Sequence, residues 1–96
     1  MRKTIFISGV IKIFNAQKNR AFYLACNNFD TDLVEQKILL EQGKHSNKAL
    51  QQDYVSQNGK DFLFIIIEKE IDFKAAKEIE NIWVESDHFA YNNENQ

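Results

Sequence analysis

Residues 40–70 read LEQGKHSNKALQQDYVSQNGKDFLFIIIEKE, and two changes of period inside this stretch decide the architecture. Leu40 closes a helical pattern, and Gly43 supplies the residue that most readily takes the left-handed backbone needed to end it. Ser46 or His45 then starts a second helix, in which Leu50 and Tyr54 stand four apart on one side. Asn58-Gly59 stops that helix. From Asp61 the period drops to two: Phe62, Phe64 and Ile66 point one way, and Leu63, Ile65 and Ile67 the other. A strand apolar on both faces is expected at the centre of a sheet, covered on each side. The short segment Lys44-His45-Ser46-Asn47 has two readings. It is a helix stop and restart, or a site facing something anionic.

Upstream, Thr4 to Phe14 alternates Ile5, Ile7, Gly9, Ile11 and Ile13 with Phe6, Ser8, Val10, Lys12 and Phe14, which predicts a first strand over 4–14. The polar NAQKNR and the apolar AFYLAC complete a β-hairpin ending near Cys26. From Asp32, Leu33, Val34, Ile38 and Leu40 share one side of the first helix, with an Asp before it as cap. Downstream, Asp72 caps a last helix whose buried stripe is Phe73, Ala76, Ile79 and Trp83, with Glu80 beside it. The expected fold is α+β, a three-stranded antiparallel sheet flanked by helices in the order ββααβα. Residues 1–92 form a single domain, and 93–96 read as a frayed tail.

Composition restricts the function. The 96 residues are 44% hydrophobic with eight Phe, enough for one core. Twelve basic and fourteen acidic residues give a net charge of -2, unlike a protein that grips DNA through many phosphates. A single cysteine, Cys26, excludes an internal disulfide and fits a reducing, cytoplasmic setting. The N-terminal apolar run is broken by Lys12 and alternates, so it reads as strand rather than signal peptide.

The quoted stretch also resembles a known pattern, G-x-H-x-x-x-x-L-Q-x-x-x-x-x-x-G-x-x-x-F followed by a central strand, which belongs to the GIY-YIG nuclease domain of homing endonucleases and repair nucleases. The likeness runs from Ser8 to Asn92. Gly9-Val10-Ile11 stands at the GIY position with Asn15 following, and EIENIWVESDHFAYNN is similar to the last family helix and the Asn after it. The resemblance implies two tyrosines and a helix-one arginine around the scissile phosphate, with a glutamate on one divalent metal. Here Ile11 replaces the first tyrosine. The second motif falls on Phe22-Tyr23-Leu24 or Tyr23-Leu24-Ala25, and the arginine position on Asp32 or Leu33.

The matching residues are His45, Glu80 and Asn92. If the chain is an active nuclease, Tyr23, His45 and Glu80 are its catalytic set and Glu80 holds Mg²⁺. Otherwise no cofactor is expected. Lys44, His45, Lys48 and Asn92 are the candidates for contacting nucleic acid or another partner. Each has a structural alternative: Tyr23 and Cys26 as core, Glu80 as a solvated helix flank, the lysines as exposed charge. Asp32 in place of arginine puts like charge where phosphate would sit. The expectation is therefore a catalytically impaired binding module, of phage or mobile-element type, that inhibits a host protein or nucleoprotein complex. The alternative is a metal-dependent DNA endonuclease. A protein partner is expected, DNA is not favoured by charge, and no membrane role is implied.

Overall fold

The computed structural model describes residues 7–93, and the elements run β1 Ser8–Asn15, β2 Arg20–Cys26, α1 Phe29–Gln42, α2 Lys48–Ser56, β3 Phe62–Glu70, α3 Phe73–Glu85 and a closing 3₁₀ turn Tyr91–Asn93. The expected order ββααβα is the observed one. Residues 4–6 of the expected first strand and 94–96 of the expected tail lie outside the described residues. Asn93 closes the 3₁₀ turn, its side chain donating to the Asp87 carbonyl.

The sheet is antiparallel throughout, in the order β2-β1-β3. Residues 8–15 and 62–70 are indeed neighbours, but the central strand is β1 and β3 is an edge. This corrects the expectation that the DFLFIII run sits in the middle. An apolar pattern on both faces reports what covers the faces, and says nothing about hydrogen-bonding neighbours at the edges. β3 is only half covered even on its faces, with Leu63 52%, Ile65 38% and Ile66 37% exposed. By contrast Val10, Ile11 and Ile13 of β1 are completely buried.

Alternation divides the side chains of the sheet between two layers. Val10, Ala21, Tyr23 and Ala25 face α3, packing on Ala76, Ile79, Trp83 and Val84. Ile13 and Phe22 face the opposite way, into Leu40 of α1, Leu50 and Tyr54 of α2, and Tyr91. Ile11 and Cys26 share that second layer with Phe29. The register of β1 against β3 slips between Val10 and Ile11, so Ile67 is the extra residue of a bulge.

The helix ends show where local chemistry won. α1 begins at Phe29, three residues before the expected start, because Asn28 rather than an aspartate is its cap, accepting from the backbone of Asp30 and Thr31. Its stripe is also narrower than expected: Leu40 is buried, but Val34 and Ile38 are about half exposed. α2 is capped by Asn47, one residue past Ser46, through the Leu50 N–H. Gly43 ends α1 with φ 74°, its N–H and that of Lys44 returning to Leu40 and Leu39. Asp72 caps α3 as expected, accepting from Ala75. Of the α3 stripe, Ala76 is buried, Ile79 and Trp83 are partly covered, and Phe73 is 42% exposed.

Candidate functional site

The sequence candidates fall into two groups on opposite sides of the sheet. The first gathers at the outer edge of β2. Tyr23 is buried, stacks on Trp83 with centroids 5.6 Å apart, and donates its hydroxyl to Asp87 Oδ2 at 2.8 Å. Burial first, and then the Asp87 carboxylate, push this phenol well above its ordinary range. Asn92 accepts the Tyr23 N–H at 2.9 Å and returns its own amide to the Tyr23 carbonyl at 2.7 Å. Glu80 accepts the Ala25 N–H at 2.9 Å on Oε1, with Lys77 Nζ 3.4 Å from the same oxygen. Two side chains thus cap the backbone groups of β2 that face away from β1.

The second group lies where α1 meets α2. His45 is buried, and its ring meets Phe22 edge-on at 5.1 Å. Its Nδ1 accepts the Asn47 N–H at 3.0 Å, so the neutral ring carries its proton on Nε2, which donates to Gln36 Oε1 at 2.5 Å. Gln51 also ties this corner, accepting from the His45 N–H and donating to the Leu40 carbonyl. Lys44 and Lys48 are exposed. An open groove of about 660 Å³ beside them is lined by Gly43, His45, Lys48, Gln51, Gln52 and Val55, among others.

The faces of the sheet bear on the second motif. Ile11, at the position of the first family tyrosine, is on the α1 and α2 side with Phe22, Leu24 and Cys26. Tyr23 is on the α3 side. The phenols on the α1 and α2 side, Tyr54 and Tyr91, pack with Ile13 and Phe22 rather than in the cluster of Ile11. Asp32, which with Leu33 is one of the two candidates for the arginine position, accepts the Asn27 N–H at 3.2 Å. Cys26, buried next to it, has its thiol pushed up to about 12, by desolvation first and then by the Asp32 charge.

Among the described residues no group of three or more His, Cys, Asp and Glu is placed to hold a metal. Glu80 spends one oxygen on a backbone amide and faces an ammonium, which would repel a cation. Among the described residues, Glu80 is held as a backbone cap beside an ammonium rather than grouped with further metal ligands.

Sequence reading missed a buried polar network beside the second group. Tyr91, fully buried, donates to Asp53 Oδ2 at 2.6 Å and accepts from Asn15 Nδ2 at 2.9 Å. Lys18 Nζ reaches Asp53 Oδ1 at 2.8 Å, and Asn15 bonds Gln57 as well. Arg20 lies over the Tyr91 ring at 4.1 Å. Asn47, besides capping α2, donates to the Tyr91 carbonyl at 2.9 Å.

The state of His45 has a consequence for stability. Burial holds its pKa below the ordinary 6.5, so on acidification the unfolded chain takes up a proton before the folded one does. The stability His45 contributes is complete above pH 6.5 and declines as pH falls through that value towards the lower folded-state pKa. Thermal unfolding of wild type and His45→Gln should therefore give a gap that shrinks between pH 7.5 and 5.5.

No protein-family model and no curated protein matches the chain. Two solved structures do. One is the catalytic domain of the homing endonuclease I-TevI, with TM-score 0.73, 28% identity, and 82% of this chain and 86% of that chain covered. The other is a glutamate-to-alanine mutant of the catalytic domain of the intron endonuclease I-TevI, with TM-score 0.72 and 25% identity, covering 82% of this chain and 81% of that chain. The likeness covers most of both chains, and with the strand order β2-β1-β3 it leads to one conclusion: the chain folds as a GIY-YIG-like domain.

Proposed function

We propose that this GIY-YIG-like domain binds a partner and does not cut DNA. One observation carries the reading: Ile11 and Phe22 stand on one sheet face, at positions where the family resemblance calls for phenols, and Tyr23 points from the other face. Tyr23 is also poised wrongly for base or nucleophile chemistry, since its proton is held by Asp87 and its pKa moves up. Asp32 places negative charge where phosphoryl transfer needs a cation, a loss of several kcal/mol in the transition state. Glu80 and Asn92 act here as caps on the β2 backbone, and His45 as a neutral linker between α1 and α2.

The partner in this reading is a protein or nucleoprotein surface of a host, and the domain an inhibitor carried by a phage or mobile element. The match to intron homing endonuclease domains supports the mobile origin, and the net charge of -2 supports a target other than bare DNA. Among the described residues no helix is long and apolar enough to cross a membrane.

A DNA titration tests the choice of partner. Lys44 and Lys48 are exposed beside Glu41 and the buried His45 is neutral, so the local field is mixed and screened beyond about 8 to 10 Å at physiological salt. Anisotropy of labelled duplex should show only weak binding, and Lys44→Glu with Lys48→Glu should leave it unchanged. Tight binding at low salt that the double reversal abolishes would overturn the reading and make residues 44–48 a phosphate-facing site.

A further inference from the structure

The α3 face of the sheet is covered on one side only. Towards β2, Ala21, Tyr23 and Ala25 are buried with Ala76 of α3 and Ala90 beyond it, whereas towards β3 Leu63 and Ile65 stay exposed. A charge stands in the middle of the open part. Lys12 of β1 lies between Tyr23 and Ile65, with Phe14 next along the same face between Ala21 and Leu63. Its Nζ is 5.0 Å from the centre of the Phe14 ring and 5.9 Å from that of Tyr23, so aromatic faces hold the ammonium. Among the described residues no carboxylate pairs with it. Two acids that reach this side are engaged elsewhere, Glu68 with the Trp83 indole at 3.2 Å and Asp87 with the Tyr23 hydroxyl at 2.8 Å. A charge on an edge strand guards against pairing, but β1 is the central strand and needs no such guard.

Resting on the reading of the domain as a binding module, we propose that Lys12, Phe14, Leu63 and Ile65 form its partner surface. The occupant is a protein segment that presents one carboxylate between large apolar side chains. Charge complementarity fixes that chemistry. A partner that covers Leu63 and Ile65 also takes Lys12 out of water, which is costly unless an opposite charge meets the ammonium. The remaining contact is with apolar side chains, as at the centre of a protein interface. Nucleic acid fits poorly, because it delivers a row of phosphates to an area centred on one lysine and shared with Glu68 and Asp87.

Amide chemical shifts of the isotope-labelled chain test this with two probes at millimolar concentration, acetyl-Trp-Glu-Leu-amide and the matching Gln peptide, which differs in charge. The Glu peptide should shift residues 12–14 and 63–65 and bind about fivefold more tightly than the Gln peptide, the worth of one ion pair at the upper end of the exposed range. Lys12→Met keeps an apolar stem over the rings and should bring the two peptides level. If that variant fails to fold, the comparison of the two peptides on the unaltered chain decides alone. Equal binding by both, shifts confined to the groove at Gly43 and Lys48, or no shifts at all would overturn the proposal. So would a short DNA duplex that shifts residues 12–14 and 63–65 more strongly than the peptide, or self-association that Lys12→Met abolishes. DNA cleavage by the domain would instead contradict the non-cutting reading, and it leaves the peptide comparison to be scored separately.

Discussion

Gly9→Ala should destabilise the domain by about 3 kcal/mol or more, the upper end of what overpacking a tight interior costs. A Cβ at this position would lie inside the van der Waals surface of the Glu68 carbonyl oxygen, and 3.0 Å from both the Glu68 carbonyl carbon and Phe29 Cε1. The obstacle is the backbone of the neighbouring strand, which cannot rotate away as a side chain would. Relief requires β1 and β3 to separate beside the bulge at Ile67. Gly43→Ala is the natural comparison. Its backbone is left-handed, with φ 74°, but nothing lies within 4 Å of the new methyl, so it should cost only about 1 kcal/mol. Chemical denaturation of the two variants checks the ranking, and equal losses would show that close strand approach is not what Gly9 provides.

Asp53→Ala should cost about 2 to 4 kcal/mol, because it orphans a buried donor as well as removing an acceptor. The Tyr91 hydroxyl, in a fully buried ring, would keep its bond from Asn15 but lose the acceptor for its own proton. Lys18 would lose its partner too, though its side chain is half exposed and contributes little of the total. Asp53→Asn keeps an acceptor for Tyr91 and should lose about half as much. The pH dependence has a defined sign. Burial acts to raise the Asp53 carboxyl, but the hydrogen bonds from Lys18 and Tyr91 and the charges of Lys18 and Arg20 bring it below the ordinary 3.8. A depressed carboxyl stabilises above its unfolded-state value and loses that contribution as pH falls through the folded one. Wild type and Asp53→Ala should therefore draw together in stability below about pH 4. A constant gap across that range would mean that the Asp53 charge is not what the network depends on.

The fold was largely legible because its signals are local. Alternation over Ser8–Phe14, the turn at residues 16–19, Gly43 at a helix end and Asp72 before Phe73 each act over a few residues. The position of β3 was not legible, since whether a strand edge is paired depends on which segment arrives beside it, and hydrophobic alternation carries only the faces. The starts of α1 and α2 shifted because several polar candidates stood near each, and Asn28 and Asn47 are the ones beside long-range ties: Phe29 N–H to the Ile7 carbonyl, and Asn47 to Tyr91.

The candidate site divides in the same way. His45, Glu80 and Asn92 were singled out by the family resemblance, which carries no information on what their side chains hold. Glu80 and Asn92 bond the edge of β2, and Tyr23 meets Asp87, across sequence separations of 55 to 69 residues. The Asp53–Tyr91–Asn15 network likewise joins three distant segments. Asn47 carried a usable signal, a cap residue just before a helical run, which the neighbouring Ser46 masked.

The central claim is that this domain keeps the GIY-YIG-like frame without its cutting chemistry, and the most direct measurement is DNA cleavage by the purified chain with Mg²⁺ or Mn²⁺. The account predicts that supercoiled and linear duplex stay intact over hours at enzyme excess, with wild type and Glu80→Ala alike. Divalent-dependent cleavage that is present in wild type and lost in Glu80→Ala would contradict it, and would establish Tyr23, His45 and Glu80 as the set to examine for catalysis.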